Sequence, residues 1–168
     1  ADVTGVGTAR RYLAATNYGG TSTAIFAYGY TSSHVAISNL VNSSGVVATD
    51  TSGIAGTVRE GLAAAAYGYD KAIFAYGSDD NPPHIMSVSN LVNSSGVIAS
   101  DVTGVGTARS GIAASTYGGD KAIFGYGNTT TAVSMTNLVT NAGVVGTDVT
   151  GVGTSRYYLA SAEYSTST

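Results

Sequence analysis

The residues that could carry chemistry are few, and most of them recur at a regular spacing. Three carboxylates and three guanidinium groups occupy equivalent places in successive repeats: Asp50, Asp101, Asp148, Arg59, Arg109 and Arg156. Acid–base catalysis by two carboxylates needs unlike environments for the two groups, whereas repetition makes these positions equivalent. The residue types instead predict ion pairs or backbone hydrogen bonds that brace the links between repeats. No catalytic site is predicted, and we expect that the protein is not an enzyme.

The two histidines do not predict a metal site. His34 and His84 precede the third apolar run of the first two repeats, and Ala132 stands at that place in the third. Zinc takes three or four protein ligands, and the chain has no cysteine to complete such a set. We therefore expect no metal and no cofactor.

A Gly-x-Gly motif, at Gly5–Gly7 and again at Gly104–Gly106, could be taken for a nucleotide-binding loop. Such a loop follows a strand and opens a helix, but no helical pattern follows here and the motif recurs with the repeat. The glycines are interpreted as connectors that allow a positive φ between repeats.

Tyrosines beside Asn and Asp suit sugar recognition, because a ring face can stack on a sugar while polar groups bind its hydroxyls. The repeats differ most in the loop after their second run, and loops on a rigid scaffold often carry specificity. The candidate ligand-binding residues lie in these loops and in one turn: Tyr30, His34, Tyr69, Asp79, Asp80, Asn81, His84 and Asn128. They predict a lectin-like, glycan-binding module as one function. Packing of Tyr between repeats is the competing interpretation.

The repeat itself is evident from the sequence. AIFAYG occurs at 24–29 and 72–77 and AIFGYG at 122–127, and the arginines Arg10, Arg59, Arg109 and Arg156 are separated by 49, 50 and 47 residues. We predict one repeat domain over 1–168. Its units span about 11–58, 59–108 and 109–155, with a partial fourth unit at 156–168.

Each unit contains four short apolar runs separated by turn residues. In the second unit they are Leu62 to Tyr67, Ala72 to Tyr76, Ile85 to Val92 and Val97 to Asp101. Glycine- and Asx-rich turns at this spacing favour an all-β meander. Alanine favours helices, but runs of about six residues are too short for a stable helix.

The second run is apolar on both faces. Strand alternation places Ala72, Phe74 and Tyr76 on one face and Ile73 and Ala75 on the other. A strand with two apolar faces packs between two layers. We therefore expect the units to stack as sheets, with the small-residue run nearest a crowded axis.

A four-stranded unit of about 48 residues has the size of a β-propeller blade. The order of elements resembles the kelch-like propellers: Arg59 and Arg109 open a unit, and Tyr76-Gly77 and Tyr126-Gly127 end its second strand. The chain departs from that family in having no Trp and in carrying Tyr-Gly where kelch has paired glycines. The repeated sequence motifs are also similar to those of tandem-repeat proteins of phage and metagenomic origin. The resemblance implies an all-β, propeller-like fold of three four-stranded blades plus a spare strand.

Composition narrows the possible partners. Only 10% of the residues are charged, the net charge is −3 and there is no basic run, so no nucleic-acid partner is expected. No apolar stretch approaches the about 20 residues of a membrane span, so no membrane insertion is expected. Low charge together with repetition suggests a location outside the cell or on a virion surface.

Three blades are too few for a ring, since propellers need at least about four. An open fan would expose apolar faces and strand edges. We therefore predict a homo-oligomer, a two-fold dimer that closes one ring, with an open head-to-tail fibre as the alternative. The expected function is that of a non-enzymatic structural and assembly protein.

Overall fold

The fold is all-β, as predicted. A computed structural model describes residues 4–20, 22–79 and 84–163. Ten strands lie in these ranges: β1 (Ala14–Tyr18), β2 (Thr23–Ala27), β3 (Ile37–Val41), β4 (Thr51–Ser52), β5 (Ala63–Tyr67), β6 (Lys71–Ala75), β7 (Ser89–Val92), β8 (Ala113–Tyr117), β9 (Lys121–Gly125) and β10 (Thr136–Val139). The same ranges contain no helix that is long and apolar enough to cross a membrane.

The strands form three antiparallel sheets, one in each predicted unit. We call them unit 1 (β1–β4), unit 2 (β5–β7) and unit 3 (β8–β10), and in each the strands follow one another as a meander. The first two strands pair in the same register in every unit, with Ala14 opposite Ala27, Ala63 opposite Ala75 and Ala113 opposite Gly125. The three units are therefore structural copies.

The alanine-rich runs form strands, which confirms the sequence interpretation. In unit 2 the run Ala63–Tyr67 pairs along its whole length with Lys71–Ala75. Helix propensity does not prevail, because five residues closed by a glycine turn cannot offset the cost of helix nucleation.

The prediction of four strands per unit holds only for unit 1. In unit 2 the fourth run is reduced to two isolated bridges, Val92 to Ile98 and Ser89 to Val102. Between these bridges the carbonyl of Ala99 accepts a hydrogen bond from the Asn90 side chain instead of joining a ladder. The corresponding bond from Asn39 to Ala48 O is present in unit 1 as well, and the fourth strand there is only the two residues Thr51–Ser52.

The units meet at a column of residues with positive φ. Gly61 N–H donates to Tyr12 O (3.1 Å), Gly111 N–H to Gly61 O (2.8 Å), and Tyr158 N–H to Gly111 O (2.8 Å). Backbone hydrogen bonds also join the turns at the other end of the first strands, from Gly19 N–H to Asp70 O (2.7 Å) and from Gly68 N–H to Asp120 O (2.8 Å), so the units contact each other at both ends of β1, β5 and β8. The described residues form three such sheets, and a closed propeller is not shown.

Two apolar clusters fill the spaces between the units. Phe74 of unit 2 packs against Tyr28 of unit 1, and Phe124 of unit 3 packs against Tyr76 of unit 2. The expectation that Tyr76 shares a face with Phe74 is wrong, because Tyr76 lies in the cluster of Ile73 on the opposite face. Tyr76 has a φ of 63°, so the backbone has left the strand and the alternation of faces ends there.

Candidate functional site: the two end faces and the network behind them

A buried polar network supports each unit from within. In unit 2 the Arg59 guanidinium donates to Tyr76 O (2.7 Å), Thr57 O (2.8 Å) and Asn90 Oδ1 (2.7 Å). Asn90 in turn donates to Asp101 Oδ1 (2.9 Å), and Asp101 accepts from the backbone and hydroxyl of Thr57. Asn90 therefore bridges an arginine and a carboxylate and ties the start of the unit to its end.

The same network recurs in the other two units. In unit 1 it comprises Arg10, Asn39, Asp50 and Thr8. In unit 3 it comprises Arg109, Asn137, Asp148 and Thr107. The arginine and the aspartate also form a long ion pair beside the amide, with 3.9 Å between Arg109 Nη1 and Asp148 Oδ1. Each aspartate thus belongs to the unit that it ends.

The network keeps its charges at neutral pH. Hydrogen bonds from Thr8 and Asn39 lower the pKa of Asp50. Burial raises the pKa of Asp101, but hydrogen bonds from Thr57 and Asn90 outweigh burial, so that this pKa also falls below its ordinary value. Burial lowers the pKa of Arg59, yet a guanidinium remains charged in proteins.

Glycine is required where this network meets the connector. The second glycine of the Gly-x-Gly motif, Gly7, has a φ of 80°, and a Cβ on it would lie 2.5 Å from Asp50 Oδ1 and 2.7 Å from Asn39 Nδ2. The motif is therefore a structural connector in this unit, as expected. Glycine is needed at Gly7 for two reasons: the positive φ, and the space that the side chains of Asp50 and Asn39 occupy.

Each arginine also joins its unit to the one before it. The Arg59 guanidinium lies 4.6 Å from the ring centroid of Tyr28, and that of Arg109 lies 4.4 Å from Tyr76. Arg156, the fourth copy, lies 4.5 Å from Tyr126 but is exposed. The arginines are thus shared between a hydrogen-bond network in their own unit and a cation–π contact with the preceding one.

A tyrosine and a glycine form a second contact between units. Tyr18 ends β1 and packs against Gly96 of unit 2, and Tyr67 ends β5 and packs against Gly143 of unit 3. These two tyrosines are 7% and 3% exposed. Tyr117, the third copy, is 37% exposed. Gly45, the copy of these glycines in unit 1, has open space beside it, because a Cβ built on it would have no atom within 4 Å apart from its chain neighbours.

The two ends of the stack therefore expose copies of the residues that are in contact between units 1, 2 and 3. The N-terminal face, on unit 1, presents Phe26 and the open Gly45. The C-terminal face, on unit 3, presents Tyr117, Ile123 and Leu138. Phe26 is 37% exposed, whereas its copies between units are fully buried.

The predicted ligand-binding residues do not converge on one site. Tyr30 and His34 lie together, with ring centroids 5.2 Å apart, and the Arg11 guanidinium lies 5.1 Å from the Tyr30 ring. Asp79 and His84 approach within 3.2 Å in the corresponding loop of unit 2.

The remaining candidates are dispersed. Asn128 forms isolated bridges with Ser110 and Ala132 in unit 3. Tyr69 lies in the β5–β6 turn, at the opposite end of the strands from the loops that follow β2, β6 and β9. Asp80 and Asn81 lie outside the described residues.

Within the described ranges, no group of three or more His, Asp or Glu side chains could hold a metal ion.

The sequence reasoning missed the central members of the network, Asn39, Asn90 and Asn137, and their partners Thr8, Thr57 and Thr107. The signal was available, because an Asn-Leu-Val triplet and a Thr two residues before Arg recur in every unit. This recurrence indicates a shared structural role for the asparagine and the threonine, but it does not identify the partners that bury them.

Comparison with known proteins gives no assignment. No family model matches this sequence, and no curated protein matches it.

Proposed function

We propose that the protein is a non-enzymatic assembly scaffold whose copies join head to tail through the two end faces. The observation that supports this proposal is a difference in exposure: the sheet faces between units are buried, whereas the equivalent faces at the two ends of the stack are partly exposed. The chain builds the same interface twice, between units 1 and 2 and between units 2 and 3, and leaves apolar residues of it exposed at each end.

The partner that fits both faces is a second copy of this chain. Tyr117 of one copy would meet Gly45 of the next as Tyr18 meets Gly96 and as Tyr67 meets Gly143. Phe26 would be covered as Phe74 is covered by Tyr28. Such a heterologous contact closes into a ring when its rotation permits and otherwise grows into a fibre.

A ring of two copies is the assembly we favour. Two copies supply six units, which is within the range of blade numbers in propellers. The units make backbone contact at both ends of β1, β5 and β8, and in such a ring these first strands would lie nearest the axis. The same proposal places the scaffold outside the cell or on a virion, for which the repeated architecture and low charge are the support.

The test is the mass in solution as a function of concentration, measured by light scattering. We expect a species of about twice the 16.7 kDa chain mass. A chain that stays monomeric at all concentrations contradicts the proposal, and a mass that keeps growing indicates the fibre.

Two blocking variants test the head-to-tail geometry. Gly45→Asn fills the hole on the N-terminal face with a residue that tolerates positive φ, and Leu138→Lys places a charge on the C-terminal face at an exposed position. Each variant alone should be monomeric. An equal mixture should form one-to-one dimers, because each copy retains the opposite intact face. Gly20→Asn is the matched control, since Gly20 also has a positive φ and an open Cβ direction but lies in the β1–β2 turn.

The glycan-binding alternative stays a prediction. The Arg11–Tyr30–His34 group is the part of the chain to examine for it, by titration with immobilised glycans.

A further inference from the structure

The segment that follows unit 3 occupies part of the C-terminal face. Residues 151–158 read GVGTSRYY, and residues 5–12 read GVGTARRY, so six of eight positions are identical. The backbones agree as well, because φ is 77° at Gly153 and 80° at Gly7, and 52° at Tyr158 and 54° at Tyr12. The two segments are copies of one connector.

In the C-terminal copy, this connector repeats several hydrogen bonds that the inner connectors make with a preceding unit. The Tyr126 hydroxyl donates to Val152 O (3.1 Å) as the Tyr76 hydroxyl donates to Val105 O (3.2 Å). Gly127 N–H donates to Arg156 O (3.0 Å), as Gly77 N–H does to the arginine of unit 3.

Arg156 and Tyr158 also repeat contacts that the inner connectors make with the preceding unit. Arg156 stacks on Tyr126, and Tyr158 N–H donates to Gly111 O. Tyr158 also stacks on Tyr12, with ring centroids 6.3 Å apart, which holds the segment to its own chain.

What the segment lacks is a sheet behind it. Residues 159–163 form no strand, and a cavity of about 130 Å³ remains between Leu159 and the residues Ile123 and Gly125 beneath it. Ile25 and Ile73, the copies of Ile123, are fully buried by the sheet of the following unit. The segment therefore fills the connector position and leaves the sheet position poorly filled.

The free connector at the other end has complementary unused groups. Among the described residues, no backbone partner is found for Tyr12 N–H or Arg10 O, whereas the corresponding groups of Tyr158 and Arg156 are bonded to unit 3. No described tyrosine ring stacks on Arg10, in contrast to Arg59, Arg109 and Arg156.

We propose that the C-terminal face is the docking site for residues 5–12 and unit 1 of a second copy, and that residues 151–159 are a replaceable stand-in held there by the same chain. This inference rests on the proposed head-to-tail function and specifies its mechanism. Association exchanges one connector for its near-identical copy, so connector contacts are conserved. The gain is the sheet of unit 1, which fills the cavity and covers Tyr117 and Leu138.

The first test weakens the stand-in within the full chain. The double variant Arg156→Ser, Leu159→Ser removes the stack on Tyr126 and the apolar side chain with which residues 151–159 line the cavity over Ile123. We expect it to associate about tenfold more tightly than the unmodified chain in sedimentation velocity over a concentration series. Ala160→Ser, at the exposed position directly after this segment, is the control and should associate as the unmodified chain does.

A second measurement on the unmodified chain needs no variant. Hydrogen exchange should show reciprocal changes as concentration rises: the amide of Tyr158 loses protection while that of Tyr12 gains it. Melting curves of the double variant check that units 1–3 remain folded.

The outcomes separate this inference from the proposed function. If the unmodified chain associates through Gly45 and Leu138 but the double variant associates no more tightly, and Tyr158 stays protected, the stand-in is part of the interface and the inference is overturned alone. If neither chain associates at any concentration, the proposed function fails and the inference fails with it.

Discussion

At the scale of single residues, the molecule depends on an arginine in each of units 2 and 3 that makes two kinds of contact: hydrogen bonds within its own unit and a cation–π contact with the preceding one. Arg59 and Arg109 are fully buried charges, and such charges are tolerated only when they are paired and hydrogen-bonded. The planar guanidinium satisfies this need by donating into its own unit while its face lies on the tyrosine of the unit before. The ammonium group of lysine has neither the fixed, planar array of N–H donors nor a flat face that can stack on a ring.

We therefore predict that Arg59→Lys lowers the free energy of unfolding by about 3 kcal/mol, because most of three charge-assisted hydrogen bonds and the stack are lost. Urea denaturation monitored by tyrosine fluorescence measures it. Arg156→Lys is the matched control in the same chain. Arg156 has the stack but is exposed, so its replacement should cost less than about 1 kcal/mol. Equal effects of the two substitutions would show that the buried network contributes little.

How much of this could be read from the sequence differs between fold and site. The all-β meander, the period and the stacking of units follow from turn residues and from a run that is apolar on both faces. The role of Asn90 does not follow, because an asparagine between Ser89 and Leu91 resembles an ordinary surface residue of a strand. Its burial depends on Arg59 and Asp101, which are 31 and 11 residues away. The kelch-like resemblance stays a prediction.

At the scale of elements, the turn that packs against the preceding unit decides how tightly two sheets approach. Gly96 lies under Tyr18 and Leu40 of unit 1, whereas Gly45 lies in the same turn of unit 1 with open space before it. Their φ values are 79° and 75°, so the backbone conformations are equivalent. The pair separates the effect of packing from the effect of a left-handed backbone.

We predict that Gly96→Ala destabilises the fold by about 1–3 kcal/mol more than Gly45→Ala. Both changes carry the strain of a side chain at positive φ, of about 1 kcal/mol. Only the first places a Cβ 2.9 Å from the Tyr18 ring and from Leu40 Cδ2, and overpacking of this kind is costly. Thermal and urea unfolding at dilute, monomeric concentrations measure the difference. No difference would mean that the interface between units 1 and 2 yields easily.

At the scale of the whole molecule, stability should follow the number of neighbours that each unit has. In a stack of repeats, a unit is stabilised by itself and by its contacts with adjacent units. Unit 2 has two neighbours, and residues Ala72–Tyr76 are buried on both faces. Units 1 and 3 each have one neighbouring sheet, which leaves Phe26 and Tyr117 exposed.

We predict that amides of β6 exchange more slowly than those of β2 and β9 when the chain is dilute, since opening β6 breaks two interfaces rather than one. When copies associate, β2 and β9 each acquire a second neighbour, and their protection should rise towards that of β6. Hydrogen exchange with peptide-level mass analysis at low and high concentration measures both effects. The Gly45→Asn chain, which retains the internal stack, serves as the control and should show no rise at either end. A rise confined to one end would indicate copies that meet through identical faces, and slower exchange in β2 or β9 than in β6 at low concentration would contradict the nearest-neighbour account of this stack.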